Sequence, residues 1–209
     1  MTKIYLTRHG ETVWNRQHRF QGHKNSELTD MGILAAELLA ERVEEIELNY
    51  IVSSPLMRAY NTAEIVRGNK DIEIIKHDGL KEINLGEFEG MSYIDIKKEH
   101  GELLAEIEKD PFNNRYPKGE NLQEFYKRVV KAFKEIIDKH RNKAILIVAH
   151  GGTIKCIEAY IRKFKLSSDW MGKVVQNCSL SYIEVGDNDE IKEIFYNDTT
   201  HLAGSAVNI

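Results

Sequence analysis

The sequence predicts an α/β fold, a three-layer α/β/α sandwich around a mostly parallel central sheet, with a small helical cap inserted over one end. Two observations carry this. Short apolar runs alternate along the chain with longer amphipathic stretches, the pattern of strand–helix units. One run, "AILIVA" (144–149), is apolar on both faces, as a central strand covered from both sides must be. The 209 residues suit one domain, and no internal repeat, low-complexity segment or Pro/Ser-rich linker divides them.

The elements follow in order. "KIYLT" (3–7) reads as the first strand. "LTDMGILAAELLAERVEEI" (28–46) reads as a helix capped at Thr29 or Asp30, with Ala36, Leu39, Ala40, Val43 and Ile46 on its apolar stripe. "YIVSSP" (50–55) is a second strand stopped by Pro55, and "LMRAYNTAEIVRG" (56–68) a helix ending at Gly68. "IEII" (72–75) is a third strand. The acidic segment from Met91 to Tyr116, broken at Gly101 and at Asp110-Pro111, reads as the cap. "NLQEFYKRVVKAFKEIIDKH" (121–140) is the clearest helix: Asn121 and Glu124 form a capping box, and Leu122, Phe125, Val129, Phe133, Ile136 and Ile137 form its buried face. The helix "GGTIKCIEAYIRKF" (151–164) follows the central strand. "SLSYIEV" (179–185) and "IKEIFYN" (191–197) pair as a hairpin around Gly186 to Asp189. The tail "LAGSAVNI" (202–209) has no readable pattern.

A net charge of −4 argues against a nucleic-acid binder. The charge is uneven, however. Lys3, Arg8, Arg16, Arg19 and Lys24 face a single acid, Glu11, in the first 25 residues, which points to a local anion site. Cys156 and Cys178 lie in apolar contexts and form no metal-type pair, so a core role in a reducing compartment is expected. No apolar run approaches the ~18 residues of a membrane span and no signal-peptide core is present, so a cytoplasmic protein, monomer or homodimer, is expected.

Three strands end alike: the first on Arg8-His9-Gly10, the second on Ser53-Ser54-Pro55 with Arg58 just beyond, the central one on His150-Gly151-Gly152. Ligands of open α/β sheets bind beyond the carboxyl ends of the strands, so these termini should face one crevice. Two histidines and two arginines then converge on a small volume. A phosphate group, with about −1.5 to −2 charges and several acceptor oxygens, is the natural counter-charge. Arginine's planar fork suits those oxygens, and the glycines let backbone N–H groups approach.

The stretches "TRHGETVWN", "SSPLMRAYNTAEI", "LKEINLGEFEG" and "VAHGG" resemble, in order, the four signatures of the histidine phosphatase superfamily, the phosphoglycerate-mutase-like group. The resemblance implies a metal-independent enzyme without a cofactor that acts on a small phosphomonoester. His9 would be the nucleophile that forms a transient phosphohistidine. Arg8, Arg58 and His150 would hold the transferring phosphoryl, Glu82 would protonate the leaving alkoxide, and Asn15 and Gly151 would add substrate contacts. Gln21 and Gly22, in "RFQGHKNSELT", would belong to the loop that closes the pocket. Glu87 and Glu89 are alternatives for the acid. His18, His23, His77, His100 and His140 are expected to be solvated, and His201 to be structural.

"GEFEG" (86–90) is similar to the Gly-x-Trp-Glu-Gly of phosphatase members, with Phe88 in place of Trp. "EINLG" stands where glycolytic mutases carry Glu-Arg-His-Tyr-Gly. A phosphatase is therefore expected, with alpha-ribazole phosphate, phosphoserine or a broad set of esters as substrate. The alternatives are a cofactor-dependent phosphoglycerate mutase, a non-catalytic phosphate binder, and a metal-dependent hydrolase that would lose activity to a chelator.

Overall fold

The computed structural model describes residues 1–164, 166, 175–205 and 207. Six strands form one sheet: β1 (Thr2–Arg8), β2 (Tyr50–Ser53), β3 (Glu73–Lys76), β4 (Ala144–Ala149), β5 (Leu180–Val185) and β6 (Ile191–Asp198), in the order β3-β2-β4-β1-β5-β6. The first four positions in that order are parallel, and β5 and β6 add an antiparallel edge hairpin closed by Gly186 N–H donating to Glu190 O. Alternation along the strands divides two cores. Ile4, Leu6, Ile145 and Ile147 point to one face, where they meet helices α4 (Tyr93–Lys109), α5 (Leu122–Lys139) and α6 (Gly151–Arg162). Tyr5, Leu146 and Val148 point to the other, where they meet α2 (Asp30–Arg42) and α3 (Met57–Arg67). The three layers are those the alternation of apolar runs predicts.

Local chemistry explains most boundaries. Asn121 and Glu124 cap α5 reciprocally, and every residue expected on its buried face is buried. Thr29 caps α2 by accepting from Gly32 N. This helix stops at Arg42, four residues short of the expected Ile46. Beyond Arg42 the bonds tighten to three-residue turns (Glu44 N to Glu41 O, Ile46 N to Val43 O), and the chain descends toward β2. One short helix, α1 (Val13–Arg16), was not anticipated; its Thr12–Asn15 capping box organises the turn after β1. Helix α4 is N-capped by Ser92, breaks at His100 (φ −136°, ψ 31°) beside Gly101, and ends at Asp110 before Pro111. Its Ile96, Leu104 and Ile107 join the core, and this helix roofs the carboxyl end of the sheet.

Several histidines are not the solvated residues expected. His140 is buried against Tyr50, ring centroids 4.7 Å apart. His77 caps a short turn by accepting from Gly79 N, and His100 lies 5.4 Å from the Phe88 ring. His201 serves a structural end, its Nε2 lying 2.9 Å from Cys178 O. The tail enters the second core through Leu202, and residues 206, 208 and 209 lie outside the described residues. Among the described residues no helix is long and apolar enough to cross a membrane.

Candidate active site

The register of the central strands builds the site. Arg8 pairs with Ala149, so the next residues, His9 and His150, leave the sheet side by side, with ring centroids 5.2 Å apart. Backbone bonds fix His9 on every side. Its N–H donates to Ala149 O (3.0 Å), its carbonyl accepts from Asn177 Nδ2 (2.7 Å), and the following Gly10 N–H donates to Thr62 Oγ1 (3.0 Å).

The imidazole is oriented just as tightly. Nδ1 lies 2.7 Å from Gly10 O, which can only accept, so Nδ1 carries the proton and donates. Arg58 Nε donates to the opposite nitrogen, Nε2, at 3.3 Å. Nε2 thus holds an in-plane lone pair, which faces the Arg58 N–H. Burial, then the positive charges of Arg58 and Arg8, hold the His9 pKa well below the ordinary 6.5, against the Gly10 carbonyl. His150 is fully buried and depressed well below 6.5 for the same reasons, burial first and then Arg58. Its Nε2 is 2.8 Å from Ser54 Oγ, and its buried Nδ1 has no hydrogen-bond partner among the described residues.

Around His9 lies a cavity of about 790 Å³. Arg8, His9, Asn15, Gln21, Gly22, Arg58, Glu82 and Gly151 all line it. Every predicted site residue is therefore brought together, with His150 beside His9 though not itself among the lining residues. Arg58 is 1% exposed, and burial pushes its guanidinium down to about 10, opposed by Glu82; it stays charged at neutral pH. Arg8 anchors one end of its fork on Val175 O (2.7 Å), while its buried Nε has no hydrogen-bond partner among the described residues. Asn15 commits its Oδ1 to Thr12, which leaves the amide NH₂ for a ligand.

Glu82 stands at the amino end of α6. Its Oε2 accepts from Gly152 N and its Oε1 from Ile83 N, each at 3.0 Å. A Cβ on Gly152 would come within 2.5 Å of Oε1, so a glycine is required for this approach. The two alternative acids are otherwise engaged. Glu87 pairs with Lys118 at 2.7 Å, and Glu89 is buried under the backbone N–H groups of His23, Lys24 and Leu85.

Four residues of the site were not singled out from the sequence. Lys155 lines the cavity one helical turn after Gly151, an i, i+4 relation that places both on one face of α6. Ser54 and Asn177 act on the two histidines, and neither carries a pattern that spacing reveals. His23, expected in solvent, lies with its Nε2 2.9 Å from Glu82 O.

A three-layer sandwich on a mostly parallel sheet, with two buried imidazoles and two arginines gathered at its carboxyl edge, is the class of fold and site that suits an anionic group such as a phosphoryl. Residues 4–199 match the family model of the histidine phosphatase superfamily (branch 1), and the chain belongs to that family. It is 32% identical over 203 residues to phosphoglycerate mutase-like protein 4 of Arabidopsis thaliana, covering 96% of this chain and 86% of the relative. Among solved structures it is similar to Bacillus stearothermophilus YhfR (34% identity, TM-score 0.90, 97% of this chain and 100% of the other). It is also similar to a phosphoserine phosphatase of Entamoeba histolytica solved with 3-phosphoglyceric acid (26% identity, TM-score 0.83, 97% and 100% covered). The chain is an enzyme of the phosphatase class.

The depressed imidazoles carry a stability signature. Below 6.5 the unfolded chain takes up protons that the folded histidines refuse, so stability is full above that pH and is lost as pH falls toward the depressed folded values. Replacing His150 by Gln removes one such group. Urea unfolding at about pH 7.5 and 5.5 should show the acid-dependent loss shrink by about 1 kcal/mol in His150→Gln. An unchanged loss would mean that folded His150 titrates like a solvated imidazole.

Proposed function

We propose that the chain is a metal-independent phosphomonoesterase working through phospho-His9. The observation that carries this reading is the His9 Nε2 lone pair, deprotonated by its surroundings and held beside Arg58 at the end of the sheet. Arg58, Arg8 and His150 receive the equatorial oxygens of the phosphoryl group, and the N-terminus of α6 adds oriented N–H groups. Nε2 attacks phosphorus, the P–O bond to the leaving group breaks, and Glu82 gives its proton to the departing oxygen. In the second half, carboxylate Glu82 takes a proton from water, the water oxygen attacks phosphorus, and the N–P bond breaks to return neutral His9 and release phosphate. Ser54, by donating its hydroxyl to His150 Nε2, would leave the proton of that ring on Nδ1 as a donor to the phosphoryl.

The cavity supports a leaving group larger than serine or glycerate. A volume of about 790 Å³ far exceeds a phosphate, and the walls beyond the cationic end include Phe20, Leu85, Leu104, Ile107 and Tyr116. An ester with an apolar or aromatic portion fits such walls better than a small carboxylate does. Among the expected substrates this favours alpha-ribazole phosphate or a broad set of bulky phosphomonoesters over phosphoserine. It disfavours the mutase reading, because a mutase must hold a small glycerate tightly through two transfers. We place the enzyme in the cytoplasm on the ground of its two buried thiols, Cys156 and Cys178.

Rapid quenching after exposure to ³²P-labelled phosphomonoester should trap an acid-labile, alkali-stable adduct that is lost in His9→Ala. An active His9→Ala variant with no adduct in the parent would reject the covalent path. The acid has its own signature. Glu82→Gln should slow alkyl phosphates by about 10²- to 10⁴-fold but spare p-nitrophenyl phosphate, whose leaving group needs no proton; equal losses on both would remove Glu82 from that role. A panel including 3-phosphoglycerate with a bisphosphoglycerate primer separates hydrolysis from mutase turnover.

A further inference from the structure

We infer that Glu89 is a positioning residue for Arg58, acting through the peptide unit between Gly22 and His23. This rests on the phosphoryl site proposed above and extends it to a residue that does not line the cavity.

The chain of contacts is short. Glu89 is 7% exposed, and Oε1 accepts from the His23 backbone N–H at 2.7 Å. The carbonyl of that same peptide unit, Gly22 O, accepts from Arg58 Nη2 at 2.8 Å. One peptide is therefore clamped between a carboxylate on its N–H side and a guanidinium on its C=O side. A second pair of bonds runs alongside: Lys24 N–H donates to Glu89 Oε2 (3.2 Å), and Lys24 O accepts from Arg58 Nη1 (2.9 Å). Leu85 N–H and the Lys24 ammonium, which donates to Glu89 O, fix Glu89 itself.

The physical consequence is a charge pair joined through backbone. Each peptide dipole between opposite charges is polarised by both, which strengthens both of its hydrogen bonds. Arg58 needs this support, because it is buried and no carboxylate bonds to it directly among the described residues. Of the five N–H groups of a guanidinium, one goes to Gly22 O, one to Lys24 O and one to His9 Nε2, leaving two for substrate oxygens. Where those two point depends on where the loop carbonyls sit, and Glu89 sets the carbonyls. Gly22 belongs to the device. Its φ is +52°, and a Cβ there would lie 2.1 Å from Glu89 Oε1.

The test is a double-mutant cycle on Glu89→Gln and Arg58→Ala. Gln keeps the size of Glu89 but loses its charge and presents an NH₂ to N–H donors. Two readouts are taken, kcat/KM on p-nitrophenyl phosphate and the Kd of orthovanadate, with Tm as a measure of folding. In the parent background Glu89→Gln should lower both catalysis and vanadate affinity by up to about 100-fold. In the Arg58→Ala background the same change should cost less than about threefold, because the residue through which it acts is gone. Equal losses in both backgrounds, or a Glu89→Gln protein with the parent's kcat/KM and vanadate Kd, would overturn the inference. If Glu89→Gln does not fold, Gly22→Ala breaks the same link from the loop side and should show the same background dependence; equal losses there overturn it as well. A parent chain that neither hydrolyses the ester nor binds vanadate would instead sink the phosphoryl site itself.

Discussion

Everything in this site depends on one buried charge, the Arg58 guanidinium held against the Nε2 of His9. A guanidinium taken out of water without a bonded carboxylate is unfavourable for the fold. Its bonded partners are two carbonyl oxygens and a neutral ring nitrogen, which take three of its five N–H groups, and the carboxylates of Glu82 and Glu89 offset its charge only from a distance. That surplus has two effects. It adds to burial, the larger cause, in keeping a proton off His9 and His150, so both rings are held neutral. It also makes an anion the ligand that best relieves the site, so in the proposed reaction the same charge would favour both the bound phosphoryl group and, together with burial, the neutral form of His9.

The fold supplies this arrangement because parallel strands all deliver their carboxyl ends to one edge. β2, β4 and β1 lie side by side and are registered so that Ser54, His150 and then Arg8 and His9 emerge at the same edge, with His150 on the middle strand. Helices α3 and α6 begin at the same edge, which brings Arg58 in from one side and the N–H groups of Gly151 and Gly152 from the other. The apolar faces of α4 and α5 then close the opposite core and roof the site with Leu104 and Ile107. In the proposed reaction the strand ends would hold the phosphoryl group, and the walls supplied by α4 would contact what is attached to it.

Much of this was legible in the sequence, and the reason is periodicity. The double-faced run at 144–149 and the capped helix from Asn121 announce themselves by local pattern, and both stand where expected. The strand-end histidines and arginines were legible because a polar residue ending an apolar run has few structural uses. What escaped was set by tertiary contact. His140 and His23 lie in polar stretches, yet one packs on Tyr50 and the other on the Glu82 carbonyl. No local rule distinguishes Glu89 from Glu87 two residues earlier. Only the folded loop from Gly22 to Lys24 buries one and leaves the other at the surface with Lys118.

The most direct test of the central claim is the ionisation of His9 itself, followed by ¹⁵N NMR of histidine-labelled protein without phosphate. The account predicts a neutral ring protonated on Nδ1 that does not titrate between about pH 8 and 5.5, with an unprotonated Nε2 throughout that range. A His9 ring that gains its second proton near the ordinary 6.5 would contradict it, because burial and the arginines would then not be holding the ring neutral.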